Sequence, residues 1–143
     1  MSDHNQILPT YRQKMLLGQV SWSVATIRCL ALTTELDEAD IENNVYAYVA
    51  DLPADDVLDV PSDIVTNTAV SSLGVAECSD IVFTGLTSGS RTVQSFVIYE
   101  DTGASNTDLL IAYIPLASGM PFTAGGGITT LSRPSGEAGF FRA

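Results

Sequence analysis

Short apolar runs separated by turn residues recur along this chain, the pattern of β-strands rather than of helices. The clearest case is TVQSFVIYED (92–101), whose Val, Ile, Phe and Tyr suit a pleated, partly buried surface. TGASNT (102–107) follows with turn residues, and LLIAYI (109–114) is the returning strand, so a β-hairpin is predicted. Pro115, Gly119, Pro121 and the run Gly125-Gly126-Gly127 punctuate the chain before another strand, ITTL (128–131). WSVATIRCLALTT (22–34) reads as a long strand with two mostly apolar faces, as expected near the middle of a sandwich. Arg28 is the exception on it and is expected to reach an edge, a carboxylate or a neighbour.

Further strands are expected at IVTNTAVS (64–71), SDIVFTGL (79–86) and AGFFRA (138–143), with QKMLLGQV (13–20) as a candidate first strand. Many short strands with even punctuation predict an all-β fold, a sandwich or a barrel. Between Glu35 and Asp63 the pattern changes. Ile41, Val45, Tyr48, Val49 and Leu52 follow a helical spacing, so a short helix ending before Pro53 is expected, although NNVYAYVADL also passes as a strand. Residues 1–10 are polar and without either period, and read as an extended N-terminal arm ahead of a single β-rich domain at 11–143.

Charge narrows the functions. Six Lys and Arg against 17 Asp and Glu give a formal charge of −11, and the basic residues are scattered, which argues against nucleic-acid binding. Ten of those acids fall between Glu35 and Asp63, and no Lys or Arg lies between Cys29 and Ser90. No apolar run reaches the roughly 18 residues that span a membrane, and the N-terminus lacks the layout of a secretory signal. A protein made and used in soluble form from the cytoplasm is expected. Only 16 % of residues are charged while 45 % are hydrophobic, which points to apolar surface buried against partners or to a well-packed sandwich.

Candidate chemistry is sparse. The single histidine, His4, sits in the arm, and no serine lies in a G-x-S-x-G elbow. Asp55-Asp56 and Glu100-Asp101 are the paired carboxylates; the first is expected on a solvated loop, the second to cap backbone N–H groups at the hairpin turn. Asp51, Asp55, Asp56 and Asp59 raise calcium, but their spacing is not that of an EF-hand. The Gly125–Gly127 run lacks the context of a phosphate loop and is expected to be a turn needing positive φ or close approach. Trp22, Tyr46, Tyr48, Tyr99 and Tyr113 are expected in the core more than on sugars. Cys29 and Cys78 are expected as thiols rather than a disulfide. No enzyme activity, metal or other cofactor is expected.

Four segments carry a resemblance: DIVFTGL (80–86), FVIYEDTG (96–103), LLIAYI (109–114) and MPFTAGGGITT (120–130). They resemble a family of small structural proteins of tailed bacteriophages, encoded near the capsid and head-to-tail genes. WSVATIRCLALTT and YVADLP (48–53) fit the family's N-terminal half more loosely. The chain departs from it at Pro115, where the family is associated with Asp, and in the C-terminal SRPSGEAGFFRA. The resemblance implies a non-enzymatic virion protein, assembled in the host cytoplasm, that decorates and cements the outside of a phage head. Its implied partners are the major capsid protein and further copies of itself, with trimers favoured. An arm bearing Ile7, Leu8 and Pro9, with Tyr11 behind it, would lie across capsid subunits. Phe140, Phe141 and Arg142 would pack between protomers. A neck, tail or fibre-attachment component, or a glycan- or receptor-binding β module, are the alternatives.

Overall fold

The hairpin forms where its apolar runs place it, at the centre of an all-β fold. The computed structural model describes residues 6–22, 25–66, 68–70, 75–115, 122–131 and 141–142. In chain order the strands are β1 (Gln6–Ile7), β2 (Ile27–Leu32), β3 (Ala69–Val70), β4 (Val75–Glu77), β5 (Ile81–Thr84), β6 (Ser95–Glu100), β7 (Leu110–Ile114), β8 (Ile128–Leu131) and β9 (Phe141–Arg142). Helix α1 (Pro9–Leu16) follows β1, helix α2 (Glu38–Glu42) follows β2, and 3-10 turns occupy Val49–Asp51 and Ala54–Asp56. A four-stranded antiparallel sheet runs β1-β7-β6-β2, beside a three-stranded sheet β3-β4-β9 and a two-stranded sheet β5-β8.

Register decides which side chains share a face. Ala31, Phe96 and Ile114 lie abreast across β2, β6 and β7, as do Leu30, Val97 and Tyr113 on the opposite face. At the next pairs Ile98 faces Ala112 while Tyr99 faces Leu110, so Ile111 is the extra residue of a bulge. One face packs Ile27, Cys29, Phe96, Ile98 and Ile111 against Ile81, Phe83 and Leu131 of the β5-β8 layer. There the Phe83 and Phe96 rings lie 5.6 Å apart, and Phe122 stacks on Phe96 at 6.5 Å. The other face packs Leu30, Leu32, Val97, Leu110 and Tyr113 against Leu36, Ile41 and Leu52 of the acidic segment. A segment beyond β2 stitches the layers together. Ser62 and Val65 donate their N–H groups to Cys29 (2.9 Å) and Ile27 (2.8 Å), while Asp63 donates to Val82 of β5 (2.8 Å).

Several expectations need correction. The candidate strand at 13–20 is instead helix α1 and its end. Pro9 sits in the first turn, where its fixed φ and missing N–H fit. Gln13, Lys14, Met15 and Leu16 are all good helix formers. Gly18 stops the helix at φ +71°, with the Gln19 N–H bonded to Lys14 (2.9 Å) and the Gly18 N–H to Met15 (3.0 Å). The helix expected over Ile41–Leu52 does not form as one piece. Asn44 adopts φ +60°, Tyr48 bridges to Leu109, and Val45 stands 51 % exposed. Two Asn residues favour this left-handed break over another helical turn. Strand β2 begins at Ile27, opposite Glu100, where β6 ends; Trp22 is buried outside it, and Ser23 and Val24 lie outside the described residues.

The arm divides. Residues 1–5 lie outside the described residues, while Gln6–Ile7 pairs with Tyr113 and Ala112 as the edge of the chain's own sheet. The Gly126 turn behaves as its sequence predicts: φ is +93°, and a Cβ there would come within 3.3 Å of the Thr87 methyl.

Candidate functional site

The residues expected at subunit contacts are brought together only in part: β1, which carries Ile7, lies beside β9, which carries Phe141 and Arg142. Ile7 and Tyr11 belong to the core beside β5-β8, and Leu8 to the core under the acidic segment. With Leu8 wholly buried and Tyr11 1 % exposed, their apolar surface is already covered by the same chain. Pro9 is half-buried at the start of α1. The backbones of Phe141 and Arg142 pair with Ala76 and Val75 as β9 on β4, and Phe140 lies outside the described residues.

Polar side chains inside the fold bind its own backbone. Ser62 Oγ accepts from the Cys29 N–H and donates to the Asp63 carbonyl, both at 2.8 Å. Ser88 Oγ accepts from the Ala124 N–H (2.8 Å), and Ser95 Oγ donates to the Thr34 carbonyl (2.7 Å). Asp108 Oδ1 accepts from the Thr102 N–H (2.7 Å) and hydroxyl (2.8 Å), closing the hairpin turn. Asp101 Oδ1 accepts from the Gly103 N–H (3.0 Å), the capping role expected of it, while its Oδ2 takes the Arg28 guanidinium at 2.7 Å. Arg28 also donates to the Ser62 carbonyl (3.0 Å), so it finds both a carboxylate and the edge segment.

The acids of 35–63 do not converge on a cation. Asp37 Oδ1 accepts from the Ala39 N–H at the start of α2, and Asp51 Oδ2 accepts from the Ala47 and Tyr48 N–H groups. Arg91 donates to the Asp55 carbonyl and lies 3.6 Å from Asp56. Among the described residues no group of three His, Cys, Asp or Glu side chains could hold a metal ion. A cleft of about 280 Å³ beside Arg91, Thr87 and Asp59, and another of about 280 Å³ between Lys14, Tyr48, Glu100 and Thr107, open to solvent.

Titration follows burial. Cys29 and Cys78 are free thiols, and burial, then the neighbouring Cys78, raises Cys29 well above its ordinary range, which makes it a poor nucleophile. Burial pushes Tyr11 up to about 12, with Glu100 adding to it, and its buried hydroxyl has no hydrogen-bond partner among the described residues. Burial and then Asp101 push Tyr99 up to about 12. Tyr113 is raised less freely, because its hydroxyl accepts from the Leu36 N–H (2.9 Å) and bonds Ser95.

What remains for outside contact is the surface. Leu16 is 83 % exposed, Leu17 62 % and Ile128 75 %. The signal for the helix is Pro9 at its start, then nine residues at 11–19 without a β-branched side chain, with Gly18 as the stop. Among the described residues no helix is long and apolar enough to cross a membrane. Compared with models of known protein families and with curated proteins, the chain matches none.

Proposed function

We propose that the chain is a non-enzymatic structural protein of a tailed-phage virion, a decoration protein that binds the outside of the head and cements it. The observation that carries this reading is the use of its interior polar groups: Ser62, Ser88, Ser95 and Asp108, all buried, are bonded to the chain's own groups. Such an interior makes a rigid scaffold and leaves recognition to the surface. The specific assignment rests on the four resembling segments, which fall on β5, on β6 with its turn, on β7, and on the loop into β8.

In this reading the major capsid protein and further copies of the chain are its partners. Phe140, Phe141 and Arg142 contribute to contact between protomers, and many identical weak contacts on the head add up to firm attachment. The acidic segment steers the protein toward basic loops of the capsid. Neither nucleic acid nor membrane is a partner. The test is to incubate purified protein with heads that lack it and count bound copies. On the order of hundreds per particle supports decoration through repeated contacts; a dozen or fewer moves the protein to the neck or tail, and none removes the virion reading.

A further inference from the structure

We propose that the outer face of α1 in one copy docks on the acidic segment around α2 in a second copy, reciprocally, making the free chain a two-fold dimer. Three observations meet in this contact. First, α1 ends in two large apolar side chains that the fold leaves in water, Leu16 at 83 % and Leu17 at 62 % exposure, with exposed Arg12 one turn before Leu16, donating to the Ile7 carbonyl (3.4 Å), and half-buried Lys14 beside the cleft that Glu100 also lines. Single exposed leucines are ordinary; two adjacent ones on a helix end make a small apolar patch, here with a cation one turn away.

Second, charge selects the occupant. Residues 4–34 contain no acid at all, whereas 35–63 contain ten acids and no base, and Val45 stands 51 % exposed among them. At a net charge of −11, two copies repel one another except where their surfaces are of opposite sign. A second copy brings that complement to α1. Third, the two surfaces adjoin on one molecule. The Thr10 hydroxyl donates to Asn44 Oδ1 at 2.8 Å, which sets the start of α1 beside the turn that follows α2. Two adjoining and complementary patches are satisfied together when a two-fold axis passes between them, since each helix then meets the other copy's acids. Buried leucines supply the attraction, and the charges fix the register.

The contact rests on the structural-protein reading only for the premise that copies meet. It is read on free protein, so it stands or falls apart from head binding, which the copy count measures. The experiment is sedimentation of the purified full chain and of three variants chosen at surface positions: R12E/K14E, D40K/E42K and L16S/L17S. Wild type should sediment as two chains and weaken with added salt. Each variant, with its strand circular dichroism retained, should be monomeric at a concentration that keeps wild type paired, a loss of at least about tenfold in affinity. An equimolar mixture of R12E/K14E with D40K/E42K should regain the two-chain species, because each copy then offers the other the sign it needs. A monomeric wild type, a three-chain wild type, folded variants that associate as wild type does, or a mixture that stays monomeric would each overturn the contact. L16S/L17S keeps the test decisive if either charge variant fails to fold.

Discussion

One face of the central sheet is buried by regular strands, and the other by a mostly irregular segment broken by the short helix α2 and two 3-10 turns. On the first face, Phe83, Ile81 and Leu131 come from β5 and β8, and the backbone groups of those strands satisfy each other. On the second, Leu36, Ile41 and Leu52 are delivered by an irregular acidic chain. Much of its backbone is satisfied by side chains: Asp37 caps α2, Asp51 takes two N–H groups, and the Tyr113 hydroxyl takes that of Leu36. The comparison shows two ways of covering the same apolar sheet. Strands need a matching pattern of side chains, whereas an irregular cover needs polar side chains placed to receive its backbone. Part of what reads as a solvated acidic face is therefore internal scaffolding.

The largest expected effect comes from the shared sheet itself. Deleting residues 1–10 removes β1, buried Leu8 and Ile7 and the start of α1, and should cost about 5 kcal/mol or more, seen as loss of the folded state in urea melts. A truncated chain of unchanged stability would return those residues to the role of a free arm. Next, Phe96→Ala on the strand-covered face should cost about 3–5 kcal/mol, since its ring meets Phe83 and Phe122 in a packed layer. Ile41→Ala on the irregular face should cost less, about 2 kcal/mol, because a cover without a ladder can settle into the gap. Equal losses at the two sites would erase the distinction between the faces. Native-state hydrogen exchange sharpens it further: amides of 36–52 should open before those of β6 and β7.

Asp37→Ala should cost about 1 kcal/mol by removing the cap of α2, with helix 38–42 exchanging faster. The smallest effect is expected at Tyr11, and its sign is informative. Its hydroxyl is buried without a hydrogen-bond partner among the described residues, so Tyr11→Phe should be neutral or stabilise by up to about 1 kcal/mol in denaturant melts at neutral pH. Burial holds Tyr11 and Tyr99 protonated in the fold, with both pushed to about 12 from an ordinary value near 10. Their contribution is intact below about pH 10 and is lost as pH climbs through 12, because the unfolded chain ionises first. Denaturation at pH 11 against pH 8 should show that loss, and Tyr11→Phe should lessen it.

The strand-covered half was legible because its signals are local. FVIYE and LIAYI announce strands by composition, TGASNT announces the turn between them, and the Gly126 conformation follows from its sequence. The bulge at Ile111 was not legible, since register depends on partners that the local sequence does not name. In the other half, apolar spacing at Ile41, Val45, Tyr48 and Leu52 imitated a helix, while Asn44 and the bridge from Tyr48 to Leu109 decided otherwise. That bridge joins residues far apart in sequence, beyond the reach of periodicity. Exposure at Leu16 and Leu17 is not legible for a related reason: in the helix that forms there, Tyr11 and Met15 face the core and the two leucines face away from it.

A scaffold that spends its interior polar groups on itself must act through its outside, and a reconstruction of the native particle tests that most directly. Density of this shape should repeat over the exterior of the head, with its surface loops and not its sheet interior touching the major capsid protein. Density confined to the neck or tail, or a particle without it, would show that the protein does not decorate the head.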